Sequence, residues 1–297
     1  MRNQVVTPED GIAWVTGASS GIGYHTALEL AREGWTVAVT GRREEELRTL
    51  CAAAEQLQGD IVAFPGDITD SRRMLAIVTQ AEVACAPVAL AVFAAGAYEP
   101  VNAAQPDPGP FERCWETNVM GTLNGLEVVV PRMIERGRGH IAIVSSIAAY
   151  GGLPGCAAYG ASMAALSTLA ENLKLELDPY DVRVSLVTPG FVKAPAHEAL
   201  PFPRAFRVGG RAAAKRIVAG LKRQGFETSF PKRLTWAFRL LRSLPRDLYF
   251  TIVKRNVARA QAEEKESGGD GRSAARTDGP VPRRFPEGPP ISPERSG

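Results

Sequence analysis

Six short apolar runs rich in Val, Ile and Ala recur along the first 190 residues, and a longer stretch patterned as a helix follows each of the first five. The runs lie near Ile12 to Thr16, Val37 to Thr40, Ile61 to Phe64, Val88 to Phe93, Ile141 to Val144 and Val182 to Val187. The helical stretches lie near 22–33, 43–57, 70–84, 112–136 and 160–178. Nearly all of the runs are apolar on both sides of their alternation, which is the signature of burial on both faces. Strands alternating with helices therefore predict a doubly wound α/β domain with a parallel sheet. A helix near Arg211 to Arg223 and a last strand at Phe226 to Phe230 bring the expected count to seven, in the order 3-2-1-4-5-6-7.

The remaining chain divides by composition. Residues 1–9 read as an amino-terminal extension, 10–231 as the α/β domain, 232–260 as a basic amphipathic helical segment and 261–297 as a tail. That tail has six Pro and six Gly and almost no large apolar side chains, so it is expected to be disordered. Net charge is only +3 but unevenly spread: residues 1–203 carry −9, 204–260 carry +13 and 261–297 carry −1. The near-continuous apolar run Ala86 to Ala97 is far below the ~20 residues that span a bilayer, and Met1 to Asp10 has no secretory core. Cys51, Cys85, Cys114 and Cys156 stand far apart with no Cys-x-x-Cys pair, the usage of a reducing compartment. A cytoplasmic protein with no metal site is expected.

The first strand runs directly into Thr16-Gly17-Ala18-Ser19-Ser20-Gly21-Ile22-Gly23 and then a helix. Glycines at 17, 21 and 23 permit a tight turn and close approach of backbone to a pyrophosphate, and the helix start offers unpaired N–H donors to anionic oxygens.

This loop resembles that of the short-chain dehydrogenase/reductase family, and further motifs recur in register over about residues 10–230. Asp67 and Ile68 resemble the family's adenine-side residues, and Gly96 the glycine ending the fourth strand. Asn118 matches the active-site asparagine, Ser146 and Tyr159 stand at the family's thirteen-residue separation, and Pro189-Gly190, with Val192 beyond, follows the sixth strand. The resemblance implies a Rossmann-type fold and a nicotinamide dinucleotide held by Gly17, Ser19, Ser20, Gly21, Ile22, Gly23, Asp67, Ile68, Gly96, Tyr159, Pro189, Gly190 and Val192. At the end of the second strand stand Arg42 and Arg43 with no acid before Glu44. Arginine forks suit a ribose 2′-phosphate, so NADP(H) is favoured over NAD(H).

The resemblance also assigns roles. Tyr159 would exchange a proton with the substrate oxygen, Ser146 would polarise the carbonyl, and Asn118 would hold a water in the proton path. The family's lysine, four residues after the tyrosine, is here Met163. Lowering a tyrosine from about 10 to about 7 with a neighbouring cation is worth about 4 kcal/mol, which methionine cannot supply. Two further departures accompany it: Phe93-Ala94 replaces an asparagine pair, and Ala194 replaces a threonine. Lys193 is the nearest cation in sequence. Three readings stay open: an NADP(H)-dependent carbonyl reductase of weakened activity, a cofactor-binding relative with a regulatory or interaction role, and a methionine introduced to trap a complex.

Between Lys232 and Arg259, aromatic and aliphatic residues interleave with arginine, divided by Pro245. This composition fits a membrane-surface element, a lid over an apolar substrate, or a hairpin packed on the body. Nucleic acid is not expected, because residues 1–203 are acidic. The segment Ala194 to Phe206, with Leu200, Phe202 and Phe206, falls where the family builds its substrate lid and implies a small hydrophobic carbonyl or alcohol. A homo-oligomer is expected.

Overall fold

The structure is a computed structural model that describes residues 5–192 and 208–267, from 257 onward as backbone alone. Strands β1 (Ile12–Thr16), β2 (Val37–Thr40), β3 (Ile61–Ala63), β4 (Val88–Phe93), β5 (Gly139–Val144), β6 (Val182–Pro189) and β7 (Glu227–Phe230) form one sheet. Its order is β3-β2-β1-β4-β5-β6-β7 and every neighbouring pair is parallel. The helices are α1 (Gly21–Arg32), α2 (Glu44–Ala52), α3 (Ser71–Ala84), α4 (Pro108–Cys114), α5 (Gly121–Arg136), α6 (Ala157–Leu177), α7 (Gly210–Leu221), α8 (Lys232–Ser243) and α9 (Arg246–Ser267). The doubly wound sheet read from the apolar runs is the one observed.

Both sheet faces are covered, and β1 shows how. Ala13 and Val15 turn to one side, where they join Leu30 of α1, Leu47 of α2 and Ile217 of α7. Ile12 and Trp14 turn to the other, with Met74 of α3, Val129 of α5 and Leu166 of α6. Since successive side chains of a strand alternate faces, two cores favour apolar residues at every position, which accounts for the runs in β1 to β4; β5 and β6 interrupt theirs with the buried polar His140, Arg183 and Ser185. The one polar group of Trp14 is satisfied: its indole N–H donates to Thr40 Oγ1 at 2.9 Å. His140 in β5 is buried against Ser185 at 2.8 Å, and burial with the nearby Arg183 lowers its imidazole to about 3, so it stays neutral.

Three segments depart from the sequence expectation. The helix expected across 112–136 is instead α4, a π-helical turn at Trp115–Met120, and α5. It begins earlier because Asp107 caps Gly109 N at 2.9 Å and Pro108 occupies the first turn. Helix α2 ends at Ala52, not near 57. Finally, α9 continues to Ser267, past the point where the disordered tail was expected to begin at 261. Pro245 does divide α8 from α9, and the remaining tail lies outside the described residues, as do Lys193, Ala194, Leu200, Phe202 and Phe206.

The sheet order reverses beside β1, between β2 and β4. Here the Thr16 hydroxyl accepts from Ala94 N at 3.2 Å and Ala95 N at 3.4 Å, pinning the two strand tips that flank the crevice. No helix among the described residues is long and apolar enough to cross a membrane.

Candidate active site

Because all seven strands are parallel, their carboxyl ends share one edge, and the residues singled out in the sequence gather there. Gly17 follows β1, Arg42 follows β2, Asp67 follows β3, Gly96 follows β4, Ser146 follows β5 and Gly190 follows β6. In open α/β sheets this edge is where ligands bind.

The loop after β1 is built for close approach. Gly17 has φ 68°, and a Cβ there would stand 2.5 Å from Ala95 Cα. A Cβ on Gly23 would stand 2.4 Å from the Gly17 carbonyl oxygen, so α1 packs onto the loop with no space for a side chain. At Gly21 a Cβ would meet nothing within 4 Å, which leaves the outer side open. Ser20 caps α1 with extended backbone but no side-chain hydrogen bond, so the first N–H groups of the helix keep their donors for an anion. Ile22 packs on the core below. These features fit the pyrophosphate of a dinucleotide.

Around this loop the two arginines differ. Arg43 donates to the Ser19 carbonyl at 3.1 Å and Oγ at 3.3 Å and pairs with Glu46 at 3.1 Å, so it braces the loop. Arg42, with 74% of its side chain exposed, has Asp67 at 4.0 Å. Asp67 uses its other oxygen to accept from Thr69 N and Oγ1, both at 3.0 Å, which fixes the turn after β3. Ile68 is buried, and a Cβ on Gly121 would touch it at 3.0 Å. On the far side, Gly190 N donates to the Phe230 carbonyl at 2.7 Å and Val192 bridges Val208.

The three residues expected to act on substrate are brought together. Asn118 is fully buried within the π-helical turn. Its Nδ2 donates to the Ala97 carbonyl at 3.0 Å and the Ser162 hydroxyl at 2.8 Å, and its Oδ1 accepts from Ala97 N at 2.6 Å. An amide has two donors, and both are used, so any water at Asn118 must be held by an acceptor. Ser146 caps the short 3₁₀ turn Ile147–Ala149, accepting from Ala148 N at 3.2 Å. Nearby, the Tyr159 phenol is pushed up to about 12, chiefly by burial, which the Ser146 hydroxyl offsets only in part.

One turn along α6 from Tyr159, Met163 is 3% exposed and packs in the core with Leu166 and Phe93. Its carbonyl accepts from Ser145 Oγ at 2.9 Å and Ser167 Oγ at 3.0 Å. No cation appears among the causes that move the Tyr159 phenol.

The short chain dehydrogenase family profile matches residues 11–202. The chain belongs to that family. Over 246 residues it is 37% identical to an uncharacterized oxidoreductase of Myxococcus xanthus, covering 82% of this chain and 96% of the relative. It is 31% identical over 193 residues to the 3-oxoacyl-(acyl-carrier-protein) reductase FabG of Thermotoga maritima, covering 65% of this chain and 78% of that one. The crystal structure of a 3-ketoacyl-ACP reductase from Sinorhizobium meliloti superposes with a TM-score of 0.65 at 27% identity, covering 73% of this chain and 95% of that one.

Within this short chain dehydrogenase, several residues near the site were not singled out by sequence reasoning. Tyr98 meets the Tyr159 ring edge to face at 5.3 Å, and burial raises its phenol as well. Its place two residues after Gly96, at a strand's carboxyl end, was an available signal. Ser162 lies one turn from Tyr159 and donates to the Tyr159 carbonyl at 2.8 Å. Cys156, buried three residues before Tyr159, has a thiol raised to about 11 by burial.

Proposed function

We propose that this short-chain oxidoreductase uses NADP(H) to interconvert a carbonyl and an alcohol on a small hydrophobic substrate, at a rate limited by Met163 standing where the family carries lysine. The placing of Ser146 beside Tyr159 carries the reading, because it sets a donor for the carbonyl oxygen next to a phenol held in its neutral, proton-donating form. Gly17, Ser19, Ser20, Gly21, Ile22 and Gly23 would hold the pyrophosphate, Asp67, Ile68 and Gly96 the adenosine side, and Pro189, Gly190 and Val192 the nicotinamide end. Arg42 would meet a 2′-phosphate, and Arg43 would brace the loop beside it. When bound, the reduced nicotinamide supplies hydride to the carbonyl carbon. Tyr159 gives its proton to the developing alkoxide and regains one from solvent, and Ser146 donates to the same oxygen. Asn118 keeps α6 and the loop after β4 in register around Tyr159.

Residues 10–231 form the catalytic unit in this reading, and a cytoplasmic homo-oligomer suits it. Phe111, Trp115 and Leu123 lie exposed along α4, the π turn and α5, a face open to a second copy. Peripheral contact with a membrane through 232–259 suits the exposed Trp236 and Leu240, 65% and 68% accessible, beside Arg233 and Arg242.

The test is consumption of NADPH with a panel of aliphatic ketones. Slow turnover that Tyr159→Phe abolishes is expected; turnover undiminished by that substitution would overturn the assignment.

A further inference from the structure

Strand β7 is one outer edge of the sheet, paired on a single side with β6. The Phe226 and Phe230 carbonyls accept from Leu186 N at 2.8 Å and Gly190 N at 2.7 Å. Backbone groups alternate sides along a strand, so Glu227 and Ser229 turn their N–H and C=O groups outward. The carboxy-terminal helices fold back over the loop after β5, where the Tyr249 hydroxyl donates to the Gly152 carbonyl at 3.0 Å and Phe238 packs beside Leu153. No backbone hydrogen bond among the described residues closes the outer side of β7. A groove of about 420 Å³ runs along this edge, walled by Arg216 and Arg223 of α7 and by Lys232 where α8 begins.

The groove is electropositive. Arg216 and Arg223 stand two helical turns apart on one face of α7, with Ala219 and Gly220 between them. A Cβ on Gly220 would stand 2.1 Å from Thr228 Oγ1, so this part of α7 lies close against the strand. Arg216 rests 5.8 Å from the centroid of the Phe230 ring. Among the described residues Arg216, Arg223 and Lys232 have no ion pair, while Glu227, which also lines the groove, is already paired with Arg239.

We propose that the outer edge of β7 binds an extended acidic segment of a partner protein, which adds to the sheet as a further strand. The outward backbone of Glu227 and Ser229 supplies the ladder bonds, and Asp or Glu at alternate positions of the segment reach Arg216, Arg223 and Lys232. A second copy of this chain does not fit the charge, because pairing β7 with β7 sets the same three cations against their counterparts. The proposal is independent of the role assigned to Tyr159.

The experiment titrates the full chain at low ionic strength with a fluorescein-labelled octapeptide of alternating Glu and Thr, read by anisotropy, and with a second peptide of alternating Glu and Pro. We expect saturable binding of the first and about tenfold weaker binding of the second, because proline donates no ladder bond. Replacing both groove arginines, Arg216→Ala with Arg223→Ala, should weaken the Glu–Thr peptide about tenfold. Arg72→Ala, which removes an exposed charge on α3, should leave it within about twofold. Equal affinity for the two peptides means that charge alone attracts them and overturns the proposal. So does a loss with Arg72→Ala as large as that in the groove variant, and so does the absence of saturable binding, which leaves the cations as guards of a bare edge. A homo-oligomer that the Glu–Thr peptide breaks apart in sedimentation gives the edge to a second copy and overturns it as well.

Discussion

Asn118 donates to the Ser162 hydroxyl across 2.8 Å, and that hydroxyl donates in turn to the Tyr159 carbonyl at 2.8 Å. The buried π-helical turn is thereby tied to the helix that presents the phenol. Removing the Asn118 side chain strands the Ala97 N–H and carbonyl, and an unpaired buried polar group costs about 1–3 kcal/mol. Asn118→Ala should lose about 2–4 kcal/mol in urea unfolding and Ser162→Ala about 1–2 kcal/mol. The double variant should lose less than the sum, because the two share one bond. A strictly additive pair would show that the link is not formed in solution.

Cofactor preference should separate the two arginines. Arg42 is largely exposed near Asp67, whereas Arg43 is spent on Ser19 and Glu46. A charge-assisted bond to the 2′-phosphate is worth about 1.5–3 kcal/mol, roughly tenfold or more in affinity. Titration should show Arg42→Ala losing NADPH affinity by about that factor with NADH unaffected. Arg43→Ala should weaken both nucleotides by loosening the loop. Equal affinity for the two nucleotides in the unmodified protein would contradict the preference itself.

Flotation with anionic vesicles tests the outward side of α8 and α9. Residues 232–256 carry seven basic side chains and one acidic, and Trp236, Leu240, Leu248 and Phe250 are exposed among them. Binding should occur at low ionic strength, weaken as salt screens the arginines, and fall with Trp236→Ser. Absence of binding at low salt would leave these helices to the packing that Tyr249 and Phe238 already provide.

The sheet was legible because burial on two faces leaves an unambiguous mark: Ile12 to Val15 has no polar interruption on either side, and Val37 to Val39 and Val88 to Phe93 beside it behave alike. Asn118, Ser146 and Tyr159 were named from the family resemblance; only Ser146, which follows β5, owes its place to the parallel strands, while Asn118 sits in the π turn and Tyr159 on α6. The π turn was not legible, because Trp115 to Met120 contains no Gly or Pro, and its extra residue is set by Asn118 bonding to Ala97 and Ser162. Nor was the seat of Tyr249 on Gly152, which joins positions 97 apart in sequence with no periodicity between them. The Asp107-Pro108 start of α4 carried a readable capping signal that the helical pattern from 112 onward obscured.

In the proposed reaction Tyr159 transfers the proton, and it does so without a neighbouring cation. Burial pushes its phenol to about 12, and Met163, turned into the core, offers no charge to bring it down. Alcohol oxidation needs the tyrosinate, so its rate should keep rising with pH beyond 10, as more of the phenol ionises. A cation one turn away favours the ionised form. Met163→Lys should therefore shift the pH–rate profile to lower pH and raise turnover near neutrality by about 10²-fold. The decisive measurement is that profile for NADP-linked oxidation of a secondary aliphatic alcohol, in the unmodified protein and in Met163→Lys. A lowered apparent pKa with faster turnover is the predicted result; identical profiles and rates in the two proteins would contradict the account.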